Sequence, residues 1–411
     1  MSYIANSKVA APWVGDLPDE WRSDWLKWNV RLCKERPTEE QIADLPYISN
    51  EDIASWTGKL LNSDPQPAEA DGRLFNYDDV LFNKLRPYLA KAYHAQFNGI
   101  SSGELLCLRP TGPVIPRYLF YVITSKGFID TVDSETFGSK MPRADWEIVG
   151  HQPLPLPPIA NQRRIVEFLD NKTVQIDALI EKKGALLDRL AEKRQTLITH
   201  AITKGLDPTV PMRDSGINWL GKIPANWDVK PLRYAAKNLN NMRVPIAAEL
   251  RKGIERKYPY YGASGIIDYV DDFIFDFPTV LVAEDGANLL SRSTPLAFTA
   301  SGKYWVNNHA HILRPISLSA WYCSSILAMY PLEPYITGSA QPKLTKDNLS
   351  TLNVWVPPPD EQMNIEASVS KNVSTIESVE NSLRASLDQL IEYRSALITA
   401  AVTGQLDLDA A

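Results

Sequence analysis

The sequence is poor in cysteine, in basic charge and in long apolar runs, and each shortage excludes a class of protein. Its three cysteines, Cys33, Cys107 and Cys323, lie far apart and never form a Cys-x-x-Cys pair. This favours a reducing compartment, which we expect to be the cytoplasm, and argues against a disulfide framework or a cysteine-rich zinc site. No apolar run is long enough to span a bilayer, and the residues after Met1 lack the pattern of a secretory signal. We therefore predict no membrane association.

Net charge and chain length further restrict the class of protein and the number of domains. The 411 residues include 43 lysines and arginines against 49 aspartates and glutamates, which gives a net charge of −6. This balance argues against a protein that coats nucleic acid by bulk attraction, although it is compatible with a local basic face. Hydrophobic residues make up 44% of the chain, enough to form packed cores, and the length predicts two or more domains.

The motifs of a self-contained enzyme are incomplete. Residues 216–223 approach a phosphate-binding P-loop but end in Ile223, where the motif needs a hydroxyl group for Mg²⁺. No Gly-x-Gly-x-x-Gly occurs, and neither does the Asn/Asp-Pro-Pro-aromatic tetrapeptide of amino-group DNA methyltransferases. His309 and His311 could offer two metal ligands at strand spacing but lack an obvious third, so a structural role is favoured. We predict a non-catalytic chain with no catalytic residue, metal site or cofactor site of its own.

The chain contains an internal duplication. Residues 157–207 align with residues 357–407 without a gap, and many of the paired residues are identical. The Trp-x-Gly-x-x-Pro-x-x-Trp pattern of residues 13–21 recurs at residues 219–227. Between such matches the two halves share no similarity. Matching motifs with dissimilar segments between them indicate two related folds that recognise two different targets.

Both repeat tails are predicted to be long helices that pack together, because they lack internal proline and carry apolar residues every seven positions. The heptad positions, which we assign to the coiled-coil interface and partner docking, are Leu169, Ile176, Leu190, Leu197, Val369, Ile376, Leu383, Leu390 and Leu397. A second apolar stripe is expected from Ile165, Leu179, Leu186, Ile365, Val379 and Leu387. Duplicated units tend to pair about a pseudo-twofold axis, which predicts an antiparallel coiled coil about 65 Å long. The alternative is that each helix covers only its own domain.

These features predict an α+β fold. Two mixed α/β domains, residues 1–154 and 208–355, would form a pseudo-twofold repeat. Two long helices, within residues 155–207 and 356–411, would separate the domains as an antiparallel coiled coil.

Clustered cations beside aromatic residues point to nucleic acid as a ligand, since Arg and Lys neutralise phosphates and Arg can pair with guanine. The candidates are Lys84, Arg86, Tyr88, Lys91, Lys140 and Arg143 in the first half, and Arg243, Arg251, Lys252, Arg256, Lys257, Tyr260, Tyr261, Gln341 and Lys343 in the second. The alternative is that these residues form ordinary solvated faces.

A repeated motif carries a resemblance to a known family. Each tail opens with Pro-Pro-x-x-x-Gln, at residues 157–162 and 357–362, and its helix ends in Leu-Ile-Thr-x-Ala-x-Thr. Two further family-like phrases lie at Asp79–Leu89 and Tyr258–Val270. With these motifs the whole chain resembles the specificity subunit of a Type I restriction-modification system.

The resemblance implies that two target-recognition domains each read one part of a split double-stranded DNA sequence. The helices would fix the distance between these domains and dock two modification (methyltransferase) subunits. Those partners would bring S-adenosylmethionine and methylate adenine, while restriction subunits would add ATP- and Mg-dependent translocation and cleavage. This chain would hold no cofactor.

Three other interpretations stay open from the residues alone. The chain could be an enzyme with an unrecognised site, which methyl transfer or nicking by the purified chain would reveal. It could be a stand-alone DNA-binding protein, or a scaffold that serves protein partners and is indifferent to DNA. It could also read DNA in another multi-subunit defence system.

Overall fold

The computed structural model describes residues 12–68, 72–136, 138, 141–251, 256–338 and 341–408. The described chain forms two compact units. The first is drawn from Met1–Gly184 and Leu383–Ala411, and the second from Ala185–Ser382. Each unit therefore combines one globular part with a segment of both long helices. The domain boundaries after residues 154, 207 and 355 stay predictions.

The first unit contains nine strands and five short helices in its described globular part. The strands are β1 (Arg22–Trp25), β2 (Val30–Cys33), β3 (Tyr47–Ile48), β4 (Gly72–Phe75), β5 (Val80–Asn83), β6 (Ala92–His94), β7 (Gly99–Ser102), β8 (Leu105–Pro110) and β9 (Pro153–Leu156). The helices are α1 (Leu26–Asn29), α2 (Glu39–Asp44), α3 (Pro116–Thr124), α4 (Lys126–Ser134) and α5 (Trp146–Gly150).

A four-stranded antiparallel sheet, in the order β2-β8-β5-β6, forms the centre of this unit. Strand β5 is buried on both faces, and its first three residues are apolar. Val80 and Phe82 enter the main core with α3 and α4, and Leu81 enters a smaller core on the opposite face. Since successive strand residues point to opposite faces, one short strand joins two cores.

The globular part of the second unit follows the long helix α6 (Ile159–Lys204) and repeats this plan. Its strands are β10 (Met212–Asp214), β11 (Lys222–Pro224), β12 (Asp228–Pro231), β13 (Ala236–Asn238), β14 (Tyr258–Gly262), β15 (Gly265–Val270), β16 (Thr279–Ala283), β17 (Ala297–Ala300), β18 (Trp305–Val306), β19 (Ala310–Pro315), β20 (Ile336–Thr337), β21 (Lys343–Leu344) and β22 (Asn353–Val356). Its helices are α7 (Leu232–Ala235), α8 (Asn288–Ser291), α9 (Ala320–Met329) and α10 (Lys346–Thr351), followed by the long helix α11 (Pro359–Val402).

The central sheet of the second unit, β13-β19-β16-β17, has the topology of the first. Val280 and Val282 of β16 enter the main core of this unit and Leu281 enters the opposite one. The smaller sheets differ. The first unit has the order β3-β7-β4, and the second has β15-β14-β18. The sequence predicted a shared frame with a different middle segment in each half. The structure shows this as a central sheet common to both units and a smaller sheet that differs between them.

The predicted α+β class and the two long helices are confirmed, since α6 has 46 residues and α11 has 44. The repeated glutamine fixes the start of each helix. Gln162 accepts a hydrogen bond from the backbone N–H of Ile115 and donates to the carbonyl oxygens of Pro113 and Pro157. Gln362 makes the corresponding bonds to residues 319, 317 and 357 of its own unit. Both side chains are buried, so each one ties a helix to the strand and loop beside it.

Within each unit the two helix segments run antiparallel. In the first unit Asp177 pairs with Arg394, whereas Ile165 lies beside Gly404 in one cleft. In the second unit Arg194 pairs with Glu377, whereas Leu197 and Ala201 lie beside Val369. The predicted heptad residues are all buried or half-buried.

The prediction of the second apolar stripe is wrong in part, because three of its residues are exposed. Leu179, Leu186 and Val379 are 47%, 43% and 43% exposed, whereas Ile165 and Ile365 are buried and Leu387 is half-buried. The half-buried neighbours are Ile180 and Leu187, each four residues after a heptad position rather than three. A 3.6-residue helix places either spacing on about the same face, so only the packing decides which of them is covered.

Across the described ranges, every helix is too short or too polar to cross a bilayer.

Candidate nucleic-acid interface

Each unit has a junction where the central strand of the sheet ends beside the Gly-Ser-x-x-Pro loop. In the first unit β5 leads into Lys84-Leu85-Arg86, and the backbone N–H of Arg86 donates to the carbonyl oxygen of Pro142 at 2.8 Å. In the second unit β16 leads into Glu284-Asp285-Gly286, and Gly286 donates to Pro342 at 3.1 Å. These backbone contacts match, so residues 84–86 and 284–286 occupy corresponding positions. We call these places the first and second junction.

The first junction carries a cluster of cations around one carboxylate. Arg143 donates to both oxygens of Glu104, at 2.9 and 2.7 Å, and its side chain is 50% exposed. Lys84 lies 3.7 Å from the same carboxylate and donates to the carbonyl oxygen of Gly103. Arg86 is exposed and adds another positive charge. Since Lys84 and Arg143 share Glu104, the described side chains leave net positive charge at this junction.

Two further candidates lie near the first junction. Tyr88, in the 3-10 turn that follows Arg86, is 44% exposed. Lys91 donates to the carbonyl oxygen of Asn50 at 2.7 Å and is half-buried, so it ties two loops together. Lys140 lies outside the described residues.

The second junction carries the opposite charge at the corresponding place. Glu284 stands where the first junction has Lys84, and it accepts from Arg243 and lies 3.3 Å from Lys343. Burial raises the pKa of this carboxyl, but the hydrogen bond from Arg243 and the nearby charges outweigh burial, so its pKa is lowered. Lys343 remains 50% exposed. The side chain of Glu284 is only 12% exposed, so the second junction presents the cation to solvent and keeps the carboxylate inside the unit.

The two histidines considered as metal ligands have structural partners. His309 lies 2.9 Å from Asp285, whereas His311 is fully buried and its Nε2 lies 2.7 Å from the carbonyl oxygen of Leu344. Burial lowers the pKa of His311. The structural interpretation of His311 is thereby supported by its contacts.

Several candidates of the second half are engaged inside the unit. Arg243 also donates to the carbonyl oxygens of Asn308 and Ala310, and its side chain is 17% exposed. Arg251 donates to Asp268 at 2.9 Å, lies over the ring of Tyr260 and is 15% exposed. Both arginines therefore stabilise contacts between different segments of the second unit.

Tyr260 corrects the sequence prediction, because it is 1% exposed and therefore presents no surface to DNA. Its hydroxyl accepts from the backbone N–H of Ile246 at 3.0 Å. Tyr261 is half-buried and packs against Phe298 and Tyr304. Alternation along β14 explains the result, since a row of tyrosines on a strand must turn part of itself inward.

The remaining candidates of the second half keep their exposure. Arg256 is 72% exposed although its guanidinium lies 3.6 Å from Asp268. Lys257 precedes β14 and is exposed, as is Gln341 in the loop of the second junction. Lys252 lies outside the described residues. The exposed candidates thus fall at the junctions and at the start of β14.

The structure also brings together residues that the sequence kept apart. Pairing of β2 with β8 sets Cys33 opposite Cys107, and their sulfurs and an oxygen of Asp79 lie within 4.8 Å of one another. Both oxygens of Asp79 accept from Arg109, at 2.7 and 2.6 Å. A metal ion at these three buried groups would have to displace that guanidinium. Strand register alone creates this proximity, and the sequence gives no local signal for it.

Comparison with known proteins places these features in a family context. Residues 224–388 match the family model described as the Type I restriction modification DNA specificity domain. The chain is 35% identical over 130 residues to a Haemophilus influenzae protein named as a type I restriction enzyme specificity subunit, S.HindORF215P. It is 23% identical over 192 residues to the EcoDI specificity subunit of Escherichia coli. These matches cover 31% and 45% of this chain, and only 33% and 42% of the two relatives.

Solved structures share the fold. A chain from a structure on complex assembly and conformational transition of the type I R-M system has a TM-score of 0.75, and the match covers 95% of this chain and all of that one. The HsdS subunit from Thermoanaerobacter tengcongensis has a TM-score of 0.52, with 95% and 98% covered. Sequence identity is 18% in both cases, so these similarities concern the fold alone.

Proposed function

We propose that this chain, which carries the Type I restriction modification DNA specificity domain, is the DNA-reading subunit of a Type I restriction-modification complex. Each unit would read one part of a bipartite double-stranded target. The observation that carries the proposal is the pair of junctions. One backbone arrangement occurs twice, with Lys84 and Arg86 at one copy and Glu284 and Gly286 at the other. A shared frame with different charged groups at its edge is what two readers of different sequences require.

The chemistry of the two junctions supports different base preferences. Cations at the first junction would donate to acceptors such as guanine O6 and N7 or to phosphate oxygens. At the second junction the carboxylate of Glu284 is held by Arg243, so the exposed Lys343 would make the contact, to a phosphate or to a base acceptor. Exposed Arg256 and Lys257, at the start of β14, would add phosphate contacts.

The chain would act without catalysis of its own. Two modification subunits would dock on the long helices, where Leu179 and Val379, at corresponding repeat positions, are apolar and exposed. Those subunits would supply S-adenosylmethionine and methylate adenine, and restriction subunits would supply ATP- and Mg-dependent cleavage. The complex would work in the cytoplasm.

Two measurements test this function. Selection of bound sequences from a random DNA library, using the complex that co-purifies with the full chain, should give two short motifs separated by a fixed gap. Native mass should give one copy of this chain with two copies of a larger partner. A chain that emerges alone, or a library that yields no preferred sequence, would contradict the proposal.

An exchange of the second globular part tests whether the readers are independent. Replacing residues 219–355 with the corresponding segment of a relative should change one of the two motifs and leave the other unaltered. A change in both motifs would contradict independent reading.

A further inference from the structure

Two arginines of the described chain adopt left-handed backbone conformations, Arg86 and Arg292, each with a φ of 50°. A Cβ atom disfavours this region, and glycine adopts it at lower cost. Such a residue persists where the surrounding structure fixes it or where its side chain is needed.

Arg292 has contacts that account for its conformation. It follows α8, its guanidinium donates to the carbonyl oxygen of Tyr330 at 2.5 Å, and it lies 3.4 Å from Glu333. Its side chain therefore joins a helix end to another loop of the same unit. Loss of this arginine would remove contacts within the fold.

Arg86 lacks contacts of this kind. Its side chain is exposed, and among the described residues its guanidinium has neither a hydrogen-bond nor an ion-pair partner. The corresponding residue of the second unit is Gly286, with a φ of 102°. The same turn is therefore built with glycine in one unit and with a strained arginine in the other. Packing within the described fold does not explain the arginine.

The backbone of Arg86 is nevertheless held firmly. Its N–H donates to Pro142 at 2.8 Å, and its carbonyl oxygen accepts from Leu89 at 2.9 Å. The next residue, Pro87, is buried and opens a 3-10 turn. A side chain that starts from a fixed Cα and points into solvent can be placed accurately against a ligand.

The charges around Arg86 make its ligand an acceptor-rich one. Lys84 and Arg143 share the carboxylate of Glu104, and the bridge between Leu85 and Arg143 places their two segments side by side. Among the described side chains of this junction, Arg86 is the cation that has no carboxylate partner. A guanidinium presents a planar fork that matches two adjacent acceptors.

We propose that Arg86 is a specificity-determining residue of the first unit, and that it reads a guanine through its O6 and N7 atoms in the major groove. This rests on the proposed function. A phosphate contact alone would not need a strained position, since a flexible lysine on ordinary backbone can make it, whereas bidentate base recognition needs an arginine at a fixed place.

The test compares Arg86→Gly and Arg86→Lys with the unmodified chain, each as the full co-purifying complex. Binding is measured against the selected DNA target, against targets changed at single base pairs, and against unrelated DNA. For both variants we expect one G·C position in one motif to lose its preference, by roughly 5- to 150-fold. Arg86→Lys should keep its affinity for unrelated DNA, because it keeps the charge.

Thermal melting separates a reading role from a structural one. Arg86→Gly should melt at the same or a higher temperature, because glycine relieves the left-handed strain. Arg292→Gly is the matched control and should melt lower while it keeps both motifs, because it loses the contacts to Tyr330 and Glu333. Arg36→Gly controls for the loss of one exposed charge in the same unit and should keep both motifs.

Three results would overturn the inference. They are an unchanged preference in Arg86→Gly, an equal loss of affinity for every sequence, or a lower melting temperature for this variant. The equal loss would identify a phosphate contact instead. Failure of the unmodified complex to select any bipartite sequence would contradict the proposed function itself, and the two failures are therefore distinguishable.

Discussion

Arg394 and Asp177 form an ion pair between the two long helices of the first unit, with 2.8 Å from Nε to Oδ1 and both side chains 10% exposed. Arg394 also donates to the carbonyl oxygen of Trp56 at 3.0 Å. The repeat-related residues Arg194 and Glu377 make the corresponding pair in the second unit, but their side chains are 42% and 49% exposed. One contact of the repeat is thus buried in one unit and solvated in the other.

Because the two ion pairs differ in burial, removing each arginine should lower the free energy of unfolding by a different amount. Arg394→Ala leaves the buried carboxylate of Asp177 with Lys59, at 3.3 Å, as its remaining ion-pair partner among the described residues. We expect its free energy of unfolding to fall by about 3–5 kcal/mol, as for other broken buried pairs. Arg194→Ala removes a solvated pair, so a loss below about 1 kcal/mol is expected. Chemical denaturation of the two variants, beside the unmodified chain, measures the difference.

The comparison between these variants is its own control, because the residue type, the helix position and the repeat are the same. Equal losses would contradict the assignment of the larger effect to burial. A smaller loss for Arg394→Ala than for Arg194→Ala would mean that the desolvation of the buried pair had cancelled its attraction.

The glutamine of the Pro-Pro-x-x-x-Gln motif should be needed for stability and not for DNA reading. Gln162→Ala leaves the N–H of half-buried Ile115 and two carbonyl oxygens without their partner. This should cost about 1–3 kcal/mol, and Gln362→Ala should cost a similar amount in the second unit. Melting temperature measures the loss, and the selected DNA motifs should stay the same. A change of motif at normal stability would contradict a purely structural role.

The sequence predicts the long helices and the repeated units of this protein well, because both features produce periodic or repeated residue patterns. The heptads and the lack of proline predict α6 and α11, and the duplicated motifs predict two units with one frame. The resemblance to specificity subunits, carried by the same motifs, is confirmed by the match of residues 224–388.

Burial of single side chains and pairing of distant strands are less visible in the sequence. The adjacent Tyr258, Tyr260 and Tyr261 look equivalent as a cluster, yet strand alternation buries Tyr260. Cys33 and Cys107 become neighbours only through the β2–β8 register. The left-handed backbone of Arg86 is equally hidden, because it depends on its contact with a loop more than fifty residues away.

The stability of the second unit should depend on pH through His311. Its Nδ1 lies 2.8 Å from the amide of Asn240, and burial lowers its pKa from the usual value. Arg243 and Lys343 also disfavour its charged form, while Glu284, at 3.7 Å, opposes them. Below about pH 6.5 the unfolded chain therefore takes up the proton first, and the free energy of unfolding falls as the pH falls.

Denaturation at about pH 7.5 and about pH 5.5 tests this dependence, since that interval spans the usual range of histidine. His311→Gln should show a smaller difference between the two conditions than the unmodified chain. Glu284→Gln is the matched control. It removes a charge that favours protonation of His311, so it should not reduce the difference. The same pH difference in His311→Gln would show that other groups cause it.

The length of the long helices should set the spacing between the two DNA motifs. Removing two heptads from both α6 and α11 keeps the heptad register and shortens each helix by about 21 Å. At 3.4 Å per base pair, the preferred gap between the motifs should shrink by about 6 base pairs, or binding of the bipartite target should be lost. Each motif offered alone should still be bound as before, because both junctions are intact. An unchanged gap in the shortened protein would mean that the helices do not measure the target, and that flexibility elsewhere sets the spacing.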